Sequence, residues 1–355
     1  MAIWRRGLRQ PGIPAALGAA LLFGAGAPLA KALLAAVDPW LLAGLLYLGS
    51  GLGLWLYRRL RRMPVVRLPT AEWPWLIGAI CSGGVIGPAL LMTGLAGMPA
   101  SGASLLLNAE AVFTALLAWF VFRENVDRRI ALGMAAIVAG AVVLSGPADG
   151  WDGAALGEIG PGLAVLGACF AWAVDNNLTR RVALVDASWL ASLKGLAAGS
   201  VNLMLALAHG AVWPDPGRIG AALLLGLFAY GASLSLFVVA LRHLGTARTG
   251  AYFSTAPFIG AAIAIPFLGE ATSASFWLAV LLMGVGVWLH LTERHAHTHT
   301  HEPLGHEHAH VHDEHHQHEH DFAWDGREPH SHPHGHAPIR HMHAHFPDVH
   351  HRHGH

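Results

Sequence analysis

AVFTALLAWFVFRE, residues 111–124, and PFIGAAIAIPFLGE, residues 257–270, decide how this chain is read. Each is an apolar run closed by a glutamate, Glu124 or Glu270. Each leads into a second apolar run whose glycine, Gly140 or Gly286, stands at the same distance past its glutamate. The match extends backwards. Phe23 to Lys31 aligns with Trp172 to Arg180, each an aromatic, a small-residue stretch and a terminal cation. Self-similarity on this scale points to a duplicated structural unit, here 12–146 and 157–292.

Both copies are too apolar for water. The chain is 54% hydrophobic and 12% charged, against about 25% charged in an ordinary soluble domain. A polar surface of normal extent cannot be made from it, and the bilayer is the natural solvent. A span needs roughly 20 apolar residues. Runs of that kind fall at 12–36, 39–57, 74–97, 100–122, 128–146, 157–180, 187–209, 218–241, 247–268 and 274–292, with short connections that suit antiparallel neighbours. The first run is too long for the core of a signal peptide and reads as a retained helix. Glycines such as Gly18, Gly24, Gly26, Gly133 and Gly140 suit close helix packing. Cys81 and Cys169 fall inside apolar stretches, where a lone thiol behaves as a small hydrophobe.

Arginines set the orientation, because short cationic loops stay in the cytoplasm. Arg5, Arg6 and Arg9 precede the first span, Arg58, Arg59, Arg61, Arg62 and Arg67 follow the second, and Arg123, Arg128 and Arg129 follow the fourth. Arg180 and Arg181 follow the sixth, and Arg242 and Arg248 the eighth. The opposite loops hold Asp38, Asp149, Asp152, Asp215 and Glu270, with Arg218 the exception. Both termini are therefore expected in the cytoplasm, in a multi-pass protein of the cell (inner) membrane. A five-helix unit repeated once inserts its second copy upside down. The expected fold is an all-α integral membrane protein of ten transmembrane helices, arranged as two inverted five-helix repeats, followed by a disordered histidine-rich tail at 293–355. Inverted repeats are a hallmark of secondary transporters, whose substrate site lies near the midplane between the halves.

The segment Ala100-Ser101-Gly102-Ala103-Ser104, running to Phe113-Thr114-Ala115-Leu116-Leu117 and Glu124, resembles the EamA-type branch of the drug/metabolite transporter superfamily. So does Ala251-Tyr252-Phe253 running to Pro257 and Gly269-Glu270. The likeness covers roughly 12–292 and implies a ten-helix carrier of two repeats. Members commonly carry a proline upstream of each glutamate; Pro257 fits, whereas Ala111 takes the other place, behind Asn108-Ala109-Glu110. The likeness implies a scaffold, and a scaffold does not name a cargo.

Ionisable side chains within a span are costly and usually face a cavity or a partner. Glu110 lies about 15 Å into the fourth span, counting 1.5 Å per residue, close to the midplane. Asp175 lies at a similar depth in the sixth, followed by Asn176 and Asn177. Such carboxylates can take up and release a proton as access alternates, or can be neutral hydrogen-bonded acids, or can pair with Lys31 or Lys194 to fix packing. Asn108, Asn176, Asn177 and Asn202 can orient a substrate or link helices, and Lys31 can act in transport or snorkel to a surface. Glu124 and Glu270, at helix ends, suggest capping. His209, His243 and His290 read as packing residues near helix ends.

The tail holds every other histidine. They form HxH ladders: His295, His297, His299 and His301; His306, His308, His310 and His312; His330, His332, His334 and His336; His341, His343 and His345. Little there is apolar, so no packed core is expected. Neutral imidazole suits Zn, Ni, Co or Cu, and nothing resembles a closed Cys/His zinc site. No cofactor is otherwise required.

The leading reading is a secondary transporter using alternating access, exporting a small metabolite or amino-acid-like solute, with proton coupling, while the tail binds divalent transition metal. The alternatives are a Ni, Co, Zn or Cu efflux carrier, against which the spans lack clustered ligands, and a non-transporting metal sensor in the membrane. The spans contain no G-x-S-x-G or H-E-x-x-H and the chain no phosphate-binding loop, so neither an intramembrane enzyme nor an ATP-driven pump is expected. Zero formal net charge and no basic stripe leave nucleic acid no electrostatic handle. The expected partners are lipid, a small-molecule substrate and transition-metal ions, with a homodimer left open.

Overall fold

The computed structural model describes residues 12–66, 68–122, 128–145, 155–179, 182, 186–291, 296–300, 305–310, 330–335 and 340–344. Two compact units divide the chain, Met1–Glu293 and Arg294–His355. The described residues of the first form helices joined by short connections.

Helix α1 is Gly12–Leu34 and α2 is Pro39–Leu60. Asp38 starts α2 by accepting from the Trp40 and Leu41 amides at 2.9 and 3.1 Å, with Pro39 at the first position, where its missing N–H costs nothing. Helix α3, Thr70–Gly97, contains a π-helical segment at Ile80–Ile86. Helix α4 comes in two pieces, Ala100–Leu106 and Ala109–Phe122. Helix α5 is Arg128–Ser145, α6 is Ala155–Thr179 and α7 is Ala187–Ala208. Helix α8 begins as Pro216–Gly226, capped by Asp215, passes through a second π segment at Leu227–Ala232, and continues as Ser233–Phe253. Helix α9 is Ala256–Leu268, stopped by Gly269 in the left-handed conformation (φ 66°), and α10 is Ala274–Leu291.

Among the described residues, seven helical stretches are long and apolar enough to cross a membrane, while Ala256–Leu268 and Ala274–Leu289 are shorter apolar helices. Large apolar side chains such as Phe120, Leu132, Leu281 and Trp288 stand 57–70% exposed. On a soluble protein such a belt would be an aggregation surface; in a bilayer it faces lipid.

Two expectations about boundaries are corrected. The eighth and ninth spans were expected to part near residues 241–247, and the fourth to run unbroken over 100–122. Instead, one helix continues to Phe253 and the break comes at Ser254–Thr255, while α4 breaks at Leu107–Asn108. His243, expected near a helix end, consequently lies within α8. Local chemistry explains both break positions. The Asn108 amide donates to the Leu105 carbonyl at 2.9 Å, and the Thr255 hydroxyl donates to the Tyr252 carbonyl at 2.6 Å. Each side chain thus takes a carbonyl that the helix would otherwise use. Pro257 then supplies no amide to the preceding turn.

The packing has an internal regularity. Helix α2 packs on α7 and α5 on α10; α1 packs on α8 and α9, and α6 packs on α3 and α4. Exchanging the first five helices for the second five leaves this pattern unchanged. The π segments obey it as well, since Gly87 and Ser233, which follow them, are separated by the same number of residues as Glu124 and Glu270. Gly140 and Gly286 let α5 and α10 touch: a Cβ on Gly140 would press on Met283 and the Ala279 carbonyl, and one on Gly286 on Ile137 and the Gly133 carbonyl.

At one end of α2, Arg58 is nearly buried and donates to Asp186 and to the Ser188 hydroxyl, each at 2.6 Å, and to the Pro64 carbonyl at 3.0 Å. Asp186 also caps α7 through the Trp189 amide. Burial would raise the Asp186 carboxyl. Hydrogen bonds from Ser188 and the Trp189 amide, with the Arg58 guanidinium beside it, outweigh that and hold it below the ordinary carboxylate value. A group depressed in the folded state contributes stability above its unfolded pKa and loses it as pH falls through the folded one. Asp186→Asn keeps the cap but removes the charge beside Arg58 and Ser188, and is therefore expected to destabilise the fold at pH 7 by about 1 kcal/mol, the difference between a hydrogen bond to a charged and to a neutral group, and so to lower the melting temperature. The difference from wild type should vanish in scanning fluorimetry as pH drops below the usual carboxylate range.

Among the described residues of the second unit, expected from the sequence as a disordered tail, are four strands, β1 Ala296–Thr300, β2 Gly305–His310, β3 His330–Gly335 and β4 Arg340–Ala344. Strand β1 pairs antiparallel with β4, and β2 with β3. HxH alternation matches the two-residue period of a strand, which is why these segments can pair without a core. His295, His301, His312, His336 and His345 lie outside the described residues.

Candidate functional site

The two helix breaks border one small cavity, with room for about one water molecule. Leu107, at the break in α4, and Ala256–Pro257, just past the second break, both line it, together with Phe23, Leu91, Ser104 and Tyr230. The Ser104 hydroxyl is buried with no hydrogen-bond partner, leaving a polar group available to whatever enters. Aromatic rings wall one side. Phe23 meets Tyr230 edge-on at 6.0 Å and Phe253 at 5.3 Å, and Tyr47 lies 5.6 Å from Tyr230.

Glu110 stands in the first turn of the second piece of α4. Across the break the Glu110 and Ala111 amides donate to the Leu107 and Asn108 carbonyls at 3.1 and 3.3 Å, and the positive end of the second piece favours a negative charge there. Its carboxylate is half-buried and accepts from the Asn176 amide at 2.8 Å. Among the described residues no cation contacts it. Asp175, buried in α6, is different: Lys194 Nζ reaches both its oxygens, at 2.5 and 2.6 Å, and the Thr179 hydroxyl donates to it at 2.8 Å. The two carboxylates that look alike in the sequence are therefore unlike in space, one paired with a cation and one with a neutral amide.

The other predicted residues divide. Asn176 joins Glu110. Asn108 holds the break. Asn177 donates to the Ala173 carbonyl at 2.8 Å, and its own oxygen is buried without a partner. Lys31 is committed elsewhere: its ammonium donates to the Leu95 and Ala96 carbonyls at 2.7 and 3.0 Å, capping the end of α3. Glu270 grips the same connection from the other side, accepting from the amides of Ala100 at 2.5 Å and Ser101 at 2.9 Å. That is the capping expected of Glu270. Glu124 lies outside the described residues. Cys169 is buried, its thiol 3.6 Å from the Leu106 carbonyl, and Cys81 is exposed. Lys194 turns out to be the cation for Asp175, one of the pairings open at the sequence level.

A second group of residues is invisible to motif reading. The π segment of α3 leaves carbonyls free of the helix ladder, and side chains collect there. Tyr47 and the Trp172 indole both donate to the Gly83 carbonyl at 2.9 Å, and Asn202 donates to that of Gly84 at 3.0 Å. Thus α2, α6 and α7 are tied to one irregular turn of α3. Only the small residues Ser82, Gly83, Gly84 and Gly87 hint at it in the sequence. Gly83 is also where Asp175 comes closest, since a Cβ there would overlap its carboxyl. Among the described residues of the helical unit, no group of three or more His, Cys, Asp or Glu side chains could hold a metal ion.

Comparison with known proteins agrees with this architecture. The EamA-like transporter family matches twice, over residues 10–146 and 161–292. A transporter of Methanothermobacter thermautotrophicus, itself uncharacterised, is 28% identical over 285 residues, covering 76% of this chain and 83% of that protein. A protein of Escherichia coli named as a probable amino-acid metabolite efflux pump is 26% identical over 207 residues, 55% of this chain and 68% of its own. A crystal structure superposes with a TM-score of 0.60 at 22% identity, covering 79% of this chain and 96% of its own, and shows the fold alone. With two matches that together span most of its length, the chain belongs to the EamA-like transporter family.

Proposed function

We propose that the protein is a proton-coupled secondary transporter that exports a small metabolite or amino-acid-like solute by alternating access. It sits in the inner membrane as ten transmembrane helices, two inverted five-helix repeats at 12–146 and 157–292, with both termini cytoplasmic. The observation that carries the reading is the pair of helix breaks bordering one cavity, with a carboxylate that meets no cation at one of them. Irregular backbone at membrane depth is tolerated where it lines a cavity, and broken helices present amides and carbonyls to a solute. The exchange-invariant packing supports two repeats that rock about a shared site. The name of the E. coli relative supports an amino-acid-like cargo, and the aromatic wall with Ser104 suits a solute with an apolar body and a polar end.

Glu110 is the proton carrier in this scheme, because Asp175 is engaged by Lys194 and Thr179 while Glu110 has only an amide. Cells expressing the wild type are expected to accumulate one amino-acid-like solute in the medium, measured by mass spectrometry, and cells expressing Glu110→Gln to lose at least about ten-fold of that export, the effect of removing an essential proton-transfer group being commonly 10²–10⁴-fold. In vesicles, an imposed pH gradient should drive the wild type and leave Glu110→Gln unaffected. Export by Glu110→Gln that still follows the gradient would remove Glu110 from the mechanism.

A further inference from the structure

We propose that the histidine-rich unit carries two transition-metal sites, one on each antiparallel ladder, each built from imidazoles of both strands. The proposal stands on register and is independent of the transport reading. His297 opposes His343 and His299 opposes His341 in the β1–β4 ladder. In the β2–β3 ladder His306 opposes His334, His308 opposes His332 and His310 opposes His330. Every histidine in the four strands therefore has a histidine across from it. Directly opposed residues of an antiparallel pair share a face, with Cβ atoms about 4.5–5.5 Å apart. Successive residues alternate faces. The register thus assigns all the strand histidines of a ladder to one face, and residues such as Thr298, Met342, Glu307 and Pro333 to the other.

The two ladders also share one frame. Stepping inward from His297 to His306 on one side covers as many residues as stepping back from His343 to His334 on the other. Pairing of this regularity has no apolar face to sustain it: apart from alanine, glycine and proline, Met342 is the one apolar residue in the four strands. A two-stranded ladder is marginal in water even with such a face. An ion bridging imidazoles across the strands supplies the missing stabilisation, because metal-binding free energy becomes folding free energy where the ligands are otherwise unconstrained. Neutral imidazole donors without thiolate select the borderline first-row ions Zn, Ni, Co and Cu. By register the β1–β4 face carries four histidines, the number of ligands a tetrahedral ion takes, and the β2–β3 face carries six.

The test separates register from composition. The full chain, purified in detergent, is dialysed against Zn²⁺ and its bound zinc counted by mass spectrometry, with gel filtration to confirm an intact membrane unit. Two tightly held ions are expected. Deleting Thr298 keeps all 26 histidines of the chain but makes His297 and His299 neighbours on opposite faces, and should leave one ion. Deleting Glu307 does the same to His306 and His308 and should also leave one. Replacing His315, His316, His318 and His320 with glutamine removes four histidines outside the strands and should leave both. Zinc content that ignores the two deletions and falls with the four substitutions would overturn the proposal and reduce the unit to a histidine-rich chain without defined sites.

Discussion

Lys194→Met is expected to destabilise the protein more than Lys194→Met combined with Asp175→Asn. The ammonium lies 2.5 Å from one carboxylate oxygen and 2.6 Å from the other, and the two side chains are only 17% and 11% exposed. Removing one member of such a pair strands the other charge in low dielectric, which typically costs about 3–5 kcal/mol. Removing both charges leaves neutral groups of similar shape, a change that is often close to neutral. Thr179 Oγ1 can still hydrogen-bond to the asparagine. Melting in detergent should therefore show a large drop for the single variant and a recovery for the double one. Equal drops would mean that the two charges are solvated independently. The same double variant also probes function: because proton coupling is assigned to Glu110, transport in it should keep its dependence on the pH gradient, and loss of that dependence would move the proton site to Asp175.

The membrane class, the duplicated halves and the family were legible in the sequence because they rest on long apolar runs and on the spacing of Glu124 and Glu270. Glu110 and Asp175 also stood out, since any carboxylate deep in an apolar run is conspicuous. What separates them was not legible. Which carboxylate meets Lys194 depends on how α6 and α7 rotate against each other, and local sequence does not encode that rotation. The breaks at Leu107–Asn108 and Ser254–Thr255 escaped for a related reason. An asparagine or threonine inside an apolar run breaks a helix only if its side chain turns back onto a carbonyl and a cavity lies beside it. The π segments left still less trace. The signal of the one in α3 is a place for Tyr47, Trp172 and Asn202 to donate, and those residues come from three other helices. In the tail, HxH alternation suggested ligands, but which strands pair, and in what register, cannot be read from alternation alone.

Lys31 and Glu270 lead to the other large effect. They hold the α3–α4 connection from both ends, Lys31 on the last carbonyls of α3 and Glu270 on the first amides of α4. Each charge sits where the helix dipole favours it, a cation at a C-terminus and an anion at an N-terminus. Ser104 lies one turn into the helix that Glu270 caps and lines the cavity, so opening of this connection is expected to expose it. Hydrogen bonds to charged groups contribute about 1.5–3 kcal/mol each. Losing even about 2 kcal/mol of closure would shift the balance between closed and open forms roughly thirty-fold, at 1.4 kcal/mol per ten-fold. Ser104→Cys, which replaces a hydroxyl by a thiol of similar size, supplies the reporter. A membrane-impermeant maleimide added on the side where α3 ends should label it slowly. Labelling should be roughly thirty-fold faster with Glu270→Ala added, and faster again when Lys31→Met is combined with it. Glu270→Asp, which retains the charge on a shorter arm, should fall between Glu270→Ala and the parent. If Glu270→Ala leaves the labelling rate unchanged while lowering the melting temperature, the two caps only stabilise the fold, and closure on that side is held by apolar packing of α1 and α9 around the connection.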